Sequence, residues 1–71
     1  MAEFTAAELP TLQQFLQRRF GKDGFALKMR ERAKDSVEVH LDNEFIGVIY
    51  KDEEGGETSY DFNMAILAED L

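Results

Sequence analysis

Cysteine and tryptophan are missing from this 71-residue chain, and proline and histidine occur once each. Without cysteine there is no disulfide framework, no thiolate nucleophile and no Cys-ligated zinc or iron–sulfur cluster. A reduced, cytoplasmic setting is the plain expectation. Long hydrophobic runs are missing too. The longest apolar stretch, Phe45-Ile46-Gly47-Val48-Ile49-Tyr50, falls far short of the roughly 18 residues that suggest a membrane span. The opening Met-Ala-Glu-Phe has no basic segment ahead of an apolar one, so it does not read as a secretory signal. Positive charge is scarce: 8 Lys+Arg against 15 Asp+Glu leave a net charge of −7. That balance favours solubility and opposes non-specific binding to nucleic acid or anionic membrane.

What is present suits a small globular protein. Hydrophobic residues make up 44% and charged residues 32% of the chain, which is not a disordered composition. The length leaves room for one core, so residues 1–71 are expected to form a single small domain. Such a chain buries about 60% of its unfolded surface and has a stability near the low end of about 5–15 kcal/mol. Charge is unevenly placed. Residues 17–34 hold seven of the bases (Arg18, Arg19, Lys22, Lys28, Arg30, Arg32, Lys34), whereas residues 52–71 hold acids alone.

One helix opens the fold. Thr5-Ala6-Ala7-Glu8 has the form of a capping box, in which Thr5 accepts the Glu8 amide and Glu8 reaches back. Leu9, Leu12, Leu16 and Phe20 follow at spacings of three or four, with Phe15 beside them. Gly21 suits the residue just past the helix, and Arg18 and Arg19 suit the negative end of its dipole. The helix is expected over 6–20. Pro10 would then remove one hydrogen bond, so a bend there, or a start at Pro10 itself, is the alternative.

After Gly24 the apolar period changes from 3.6 to 2. Phe25, Leu27 and Met29 alternate with Ala26, Lys28 and Arg30; Val37, Val39 and Leu41 alternate with Glu38, His40 and Asp42. Asp42-Asn43 is a credible two-residue turn. A third strand is expected from Glu44 to Lys51, a five-residue loop over 53–57, and a fourth strand from Thr58 to about Leu67. The fold class is α+β: one N-terminal helix packed on a four-stranded antiparallel meander. A regular ladder from the 42–43 turn pairs 39 with 46 and 37 with 48, and the five-residue loop pairs 50 with 60. Ile46, Val48 and Tyr50 then join the helix-covered face, and Phe45 and Ile49 stand on the opposite one, separated by Gly47. Clean alternation is broken in that strand.

The blocks Leu12 to Gly21, Lys34 to Val39, Glu44 to Glu53 and Ser59 to Leu67 carry a resemblance. The chain resembles a family of short alphaproteobacterial proteins catalogued only as a domain of unknown function, over nearly all of residues 5–67. The resemblance implies a bacterial, cytoplasmic protein and brings no activity, cofactor or site residue with it.

Candidate sites are few. His40 could ligate a metal, but no second His or Cys accompanies it, and a surface histidine beside Phe45 is the simpler expectation. Asp52-Glu53-Glu54-Gly55-Gly56-Glu57 lacks the alternating ligands of a calcium loop and reads as a solvated hairpin tip. Glu38 and Asp61 could be cast as an acid–base pair, but no nucleophile or orienting histidine goes with them, so neither catalysis nor a cofactor is expected. The favoured expectation is a non-catalytic interaction module that binds a protein partner or a second copy. Its surface would be the outer sheet face: Phe45, Gly47, Ile49, His40 and Ala65, unless the tail 65–71 folds back over it. The alternative is a nucleic-acid or ribosome-associated protein. There Lys28, Arg30 and Arg32 would line a strand face, with Lys34 following and Arg18 and Arg19 near the helix end.

Overall fold

The computed structural model describes residues 2–71, apart from the side chain of Asp70. It contains a helix α1 (Glu8–Phe20), strands β1 (Phe25–Met29), β2 (Ser36–Leu41), β3 (Glu44–Glu54) and β4 (Glu57–Met64), and a 3₁₀ turn at Ala68–Asp70. The strands form one antiparallel sheet in the order β1-β2-β3-β4. Among the described residues no helix is long and apolar enough to cross a membrane.

The start of the helix resolves the proline. Ala6 and Ala7 form a turn ahead of α1, with the Glu8 amide donating to the Thr5 carbonyl (3.1 Å). Pro10 is therefore the third helical residue, where an amide has no intrahelical acceptor, and nothing is lost. The expected box is only half made. The Thr5 amide donates to Glu8 Oε1 (2.8 Å), but the Thr5 hydroxyl donates to the same oxygen (3.1 Å) instead of accepting the Glu8 amide. At the far end Gly21 is left-handed (φ 64°), and the Lys22 amide caps the Gln17 carbonyl at 3.1 Å.

Both later turns are tight. Asp42 and Asn43 have φ of 52° and 69°, which suits a two-residue hairpin. The expected five-residue loop is instead a second such turn at Gly55-Gly56 (φ 59° and 83°), so β3 runs on to Glu54. Two glycines adopt that geometry at little steric cost.

Register is where the sheet departs most from a regular ladder. His40 pairs with Phe45 as expected, but Val39 then pairs with Gly47, and Ile46 is the extra residue of a β-bulge. Beyond the bulge the phase of β3 is reversed. Ile49 faces Val37 on the inner side and is 2% exposed, while Val48 stands opposite Glu38 on the outer side. The shorter second turn shifts β4 by one as well, pairing Ile49 with Phe62 and Lys51 with Tyr60. These two shifts cancel, so Tyr60, Phe62 and Met64 still lie on the inner face.

That face holds the core. Leu16 of α1 packs with Phe25, Val37, Val39 and Ile49, and with Phe4 from the segment ahead of the helix. Phe4 is tied down by its amide, which donates to the Lys34 carbonyl (2.8 Å), and its ring lies 5.8 Å from that of Tyr60. The helix packs along β1.

Candidate functional site

The outer face does not carry the surface expected of it. Phe45 is half exposed, with its ring edge-on to His40 at 5.6 Å. His40 in turn meets Glu38 Oε1 through Nε2 at 3.1 Å. Ile49 and Gly47, expected beside Phe45, are buried on the other side of the sheet, because the bulge at Ile46 inverts the pleat. Gly47 has a packing reason to lack a side chain: a Cβ there would meet the Asn63 carbonyl oxygen and sit 2.8 Å from the Phe62 ring. Ala65 is exposed beyond the end of β4, its amide donating to the Ile46 carbonyl (3.2 Å). The tail leaves Ile66, Leu67 and Leu71 exposed.

Basic residues do not form one stripe. β1 ends at Met29, so Arg30 and Arg32 lie in a loop and do not extend the alternation of Lys28. Lys28 pairs across the sheet with Glu38. Arg30 Nη1 donates to the hydroxyl of buried Ser36 (3.2 Å), which itself donates to the Ala33 carbonyl (3.2 Å). Arg18 and Arg19 are exposed at the helix end next to Phe15, and Lys34 is exposed in the β1–β2 loop. Asp52 to Glu57 form the β3–β4 hairpin tip. Among the described residues no three His, Asp or Glu side chains stand close enough to hold a metal ion.

Two features of the inner face escape a residue-by-residue reading. The first is a groove. Because α1 lies along β1, the inner face of β3 and β4 has no layer above it near the helix end. Phe20 stacks on Phe25 (5.6 Å between ring centres), and with Leu41, Ile46, Phe62 and Met64 they line an open apolar groove of about 280 Å³. Its one charged lining residue, Lys22, is paired with Asp42 at 3.1 Å. The signal available in the sequence was the number of large apolar residues, more than one short helix can cover.

The second is a polar clasp at the opposite end. Lys51, placed on the inner face by the bulge, donates to Glu8 Oε1 (2.8 Å) and to the Glu3 carbonyl (3.1 Å). The Tyr60 hydroxyl donates to Glu8 Oε2. Burial pushes the Glu8 carboxyl up, but hydrogen bonds from Lys51, Tyr60 and Thr5 together outweigh it and lower the pKa from 4.5 to about 2. The hydrogen bond to Glu8, assisted by burial, raises Tyr60 from 10.0 to about 12. These groups join the N-terminal segment, the helix start and the β3–β4 hairpin, and among the described residues no buried side-chain polar atom lacks a hydrogen-bond partner.

Fold and site together define a small α+β domain whose helix covers one end of an antiparallel meander and leaves an apolar groove at the other. Residues 8–70 match the family described as Protein of unknown function (DUF3126), and the chain belongs to that family. No curated protein and no solved structure matches the chain.

Proposed function

We propose that this protein is a non-catalytic interaction module, and that it binds another polypeptide through the inner-face groove between the helix end and β4. One observation carries this: the apolar lining of the groove continues outward into large exposed side chains, Phe20 and Met64 at 57% and 55%. Burying such a side chain contributes about 1.5–3 kcal/mol, so a partner covering both would gain substantially. The surface differs from the outer face favoured on sequence grounds, where Phe45 remains but Ile49 does not. A chain without cysteine fits work in the reducing cytoplasm. Nucleic-acid binding ranks second because Lys28 faces Glu38 and Arg30 is spent on Ser36.

The test is affinity purification of the tagged chain from its host lysate, with three baits. The parent and Phe45→Asp should retain the same stoichiometric companion, and Phe20→Ser with Met64→Lys should lose it. Identical companions on all three baits would refute the groove.

A further inference from the structure

Resting on that proposal, we infer that the partner is a second copy of this chain, which joins at the β4 rim of the groove by adding to the free edge of β4 about a two-fold axis. β4 is the last strand of the sheet and runs for 8 residues with no proline, lysine or bulge to discourage pairing. Its bonding pattern shows which groups are free. The Ala65 amide donates to the Ile46 carbonyl, and bonding alternates along an antiparallel pair. Asn63 and Asp61 therefore face β3, whereas Tyr60, Phe62 and Met64 direct N–H and C=O outward.

A two-fold perpendicular to the sheet pairs residues of like face, which leaves few registers. Centring on Asp61 sets two carboxylates directly opposite each other, an arrangement that destabilises a sheet. Centring on Phe62 sets Phe62 opposite its own copy, Tyr60 opposite Met64 of the other copy, and Asp61 opposite Asn63. The second register satisfies the free edge with no like charges opposed over residues 60–64. It also lays the two grooves side by side as one apolar trough flanked by two helices, and the exposed Ile66 extends it. The chain also exposes enough surface for such a contact. The chain exposes 5439 Å², whereas a compact monomer of 8.1 kDa exposes about 4,500 Å². The excess is close to the roughly 800 Å² that each partner contributes to a standard interface.

Sedimentation equilibrium and amide hydrogen exchange by NMR on the parent test this together. The expected result is a concentration-dependent dimer in which the amides of Tyr60, Phe62 and Met64 are protected and lose protection on dilution. Met64→Lys should weaken association roughly tenfold or more, and Phe45→Asp should leave it unchanged. A monomer at all concentrations, or a dimer in which those three amides exchange freely, overturns the inference without any variant. Should the chain prove monomeric while the purification recovers a different companion that depends on Phe20 and Met64, self-pairing is refuted and the groove stands.

Discussion

Among the described residues Glu8 makes more side-chain hydrogen bonds than any other residue, and its role is to join elements that the chain visits far apart. Because its folded pKa of about 2 lies below the ordinary 4.5, the stabilisation is complete above about pH 4.5 and is lost as the pH falls through about 2. Glu8→Gln keeps the shape and removes the charge. With the side chain 19% exposed, the cost at pH 7 should be about 1–2 kcal/mol after allowance for solvent screening. Urea titrations at several pH values check this: the gap between parent and variant should close between pH 4.5 and 2. Tyr60 gives the alkaline counterpart. Its pKa is raised to about 12, so its contribution is complete below pH 10 and disappears as the pH rises through 12. Tyrosinate absorbance should show one group ionising near pH 12 in the parent. That step should be missing in Tyr60→Phe and move down toward 10 in Glu8→Gln.

Among the elements, β3 decides which residues become surface. Its bulge trades a regular ladder for the burial of Ile49, and Gly47 makes the trade possible by letting the Asn63 carbonyl approach. Gly47→Ala should cost about 2–3 kcal/mol, since the methyl group meets backbone that cannot rotate away. Thermal unfolding followed by circular dichroism measures it. Pro10→Ala, in the first turn of α1, should change stability by less than about 0.5 kcal/mol, because the amide it restores has no acceptor. The same contrast shows what a sequence can reveal. Helix, strands, their order and the Asp42-Asn43 turn were legible, each being set by a local period or by backbone preference. The bulge was not. A ladder one residue out of step has the same alternation on either side, and only the packing of Gly47 against β4 selects it. A regular ladder accordingly puts Ile49 on the outer face, whereas the bulge buries it opposite Val37, and the candidate outer surface loses it. Phe4 is illegible for a related reason: it lies outside any periodic segment, and only the fold brings it to Tyr60.

Across the whole molecule, charge and apolar surface are segregated, and their placement gives self-pairing a distinctive response to salt. All seven charges between residues 52 and 71 are acidic, and they lie on the hairpin tip, on β4 and in the tail. In an antiparallel pair of β4 strands, the tip of each copy approaches the tail of the other, so acid faces acid at both ends of the new ladder. Apolar contact and backbone bonding have to overcome that repulsion. Ions screen it within a Debye length of about 10 Å at 0.1 M. Association of two copies should therefore tighten several-fold as sodium chloride rises from about 20 mM to about 300 mM. Binding of the basic segment to nucleic acid would respond in the opposite sense, weakening steeply as counterions compete for phosphate. Sedimentation equilibrium across that salt range, beside fluorescence anisotropy with labelled RNA, separates the two by sign alone. A dimer that weakens with salt would mean that the acidic ends do not meet, and the β4 edge would not be where the copies join.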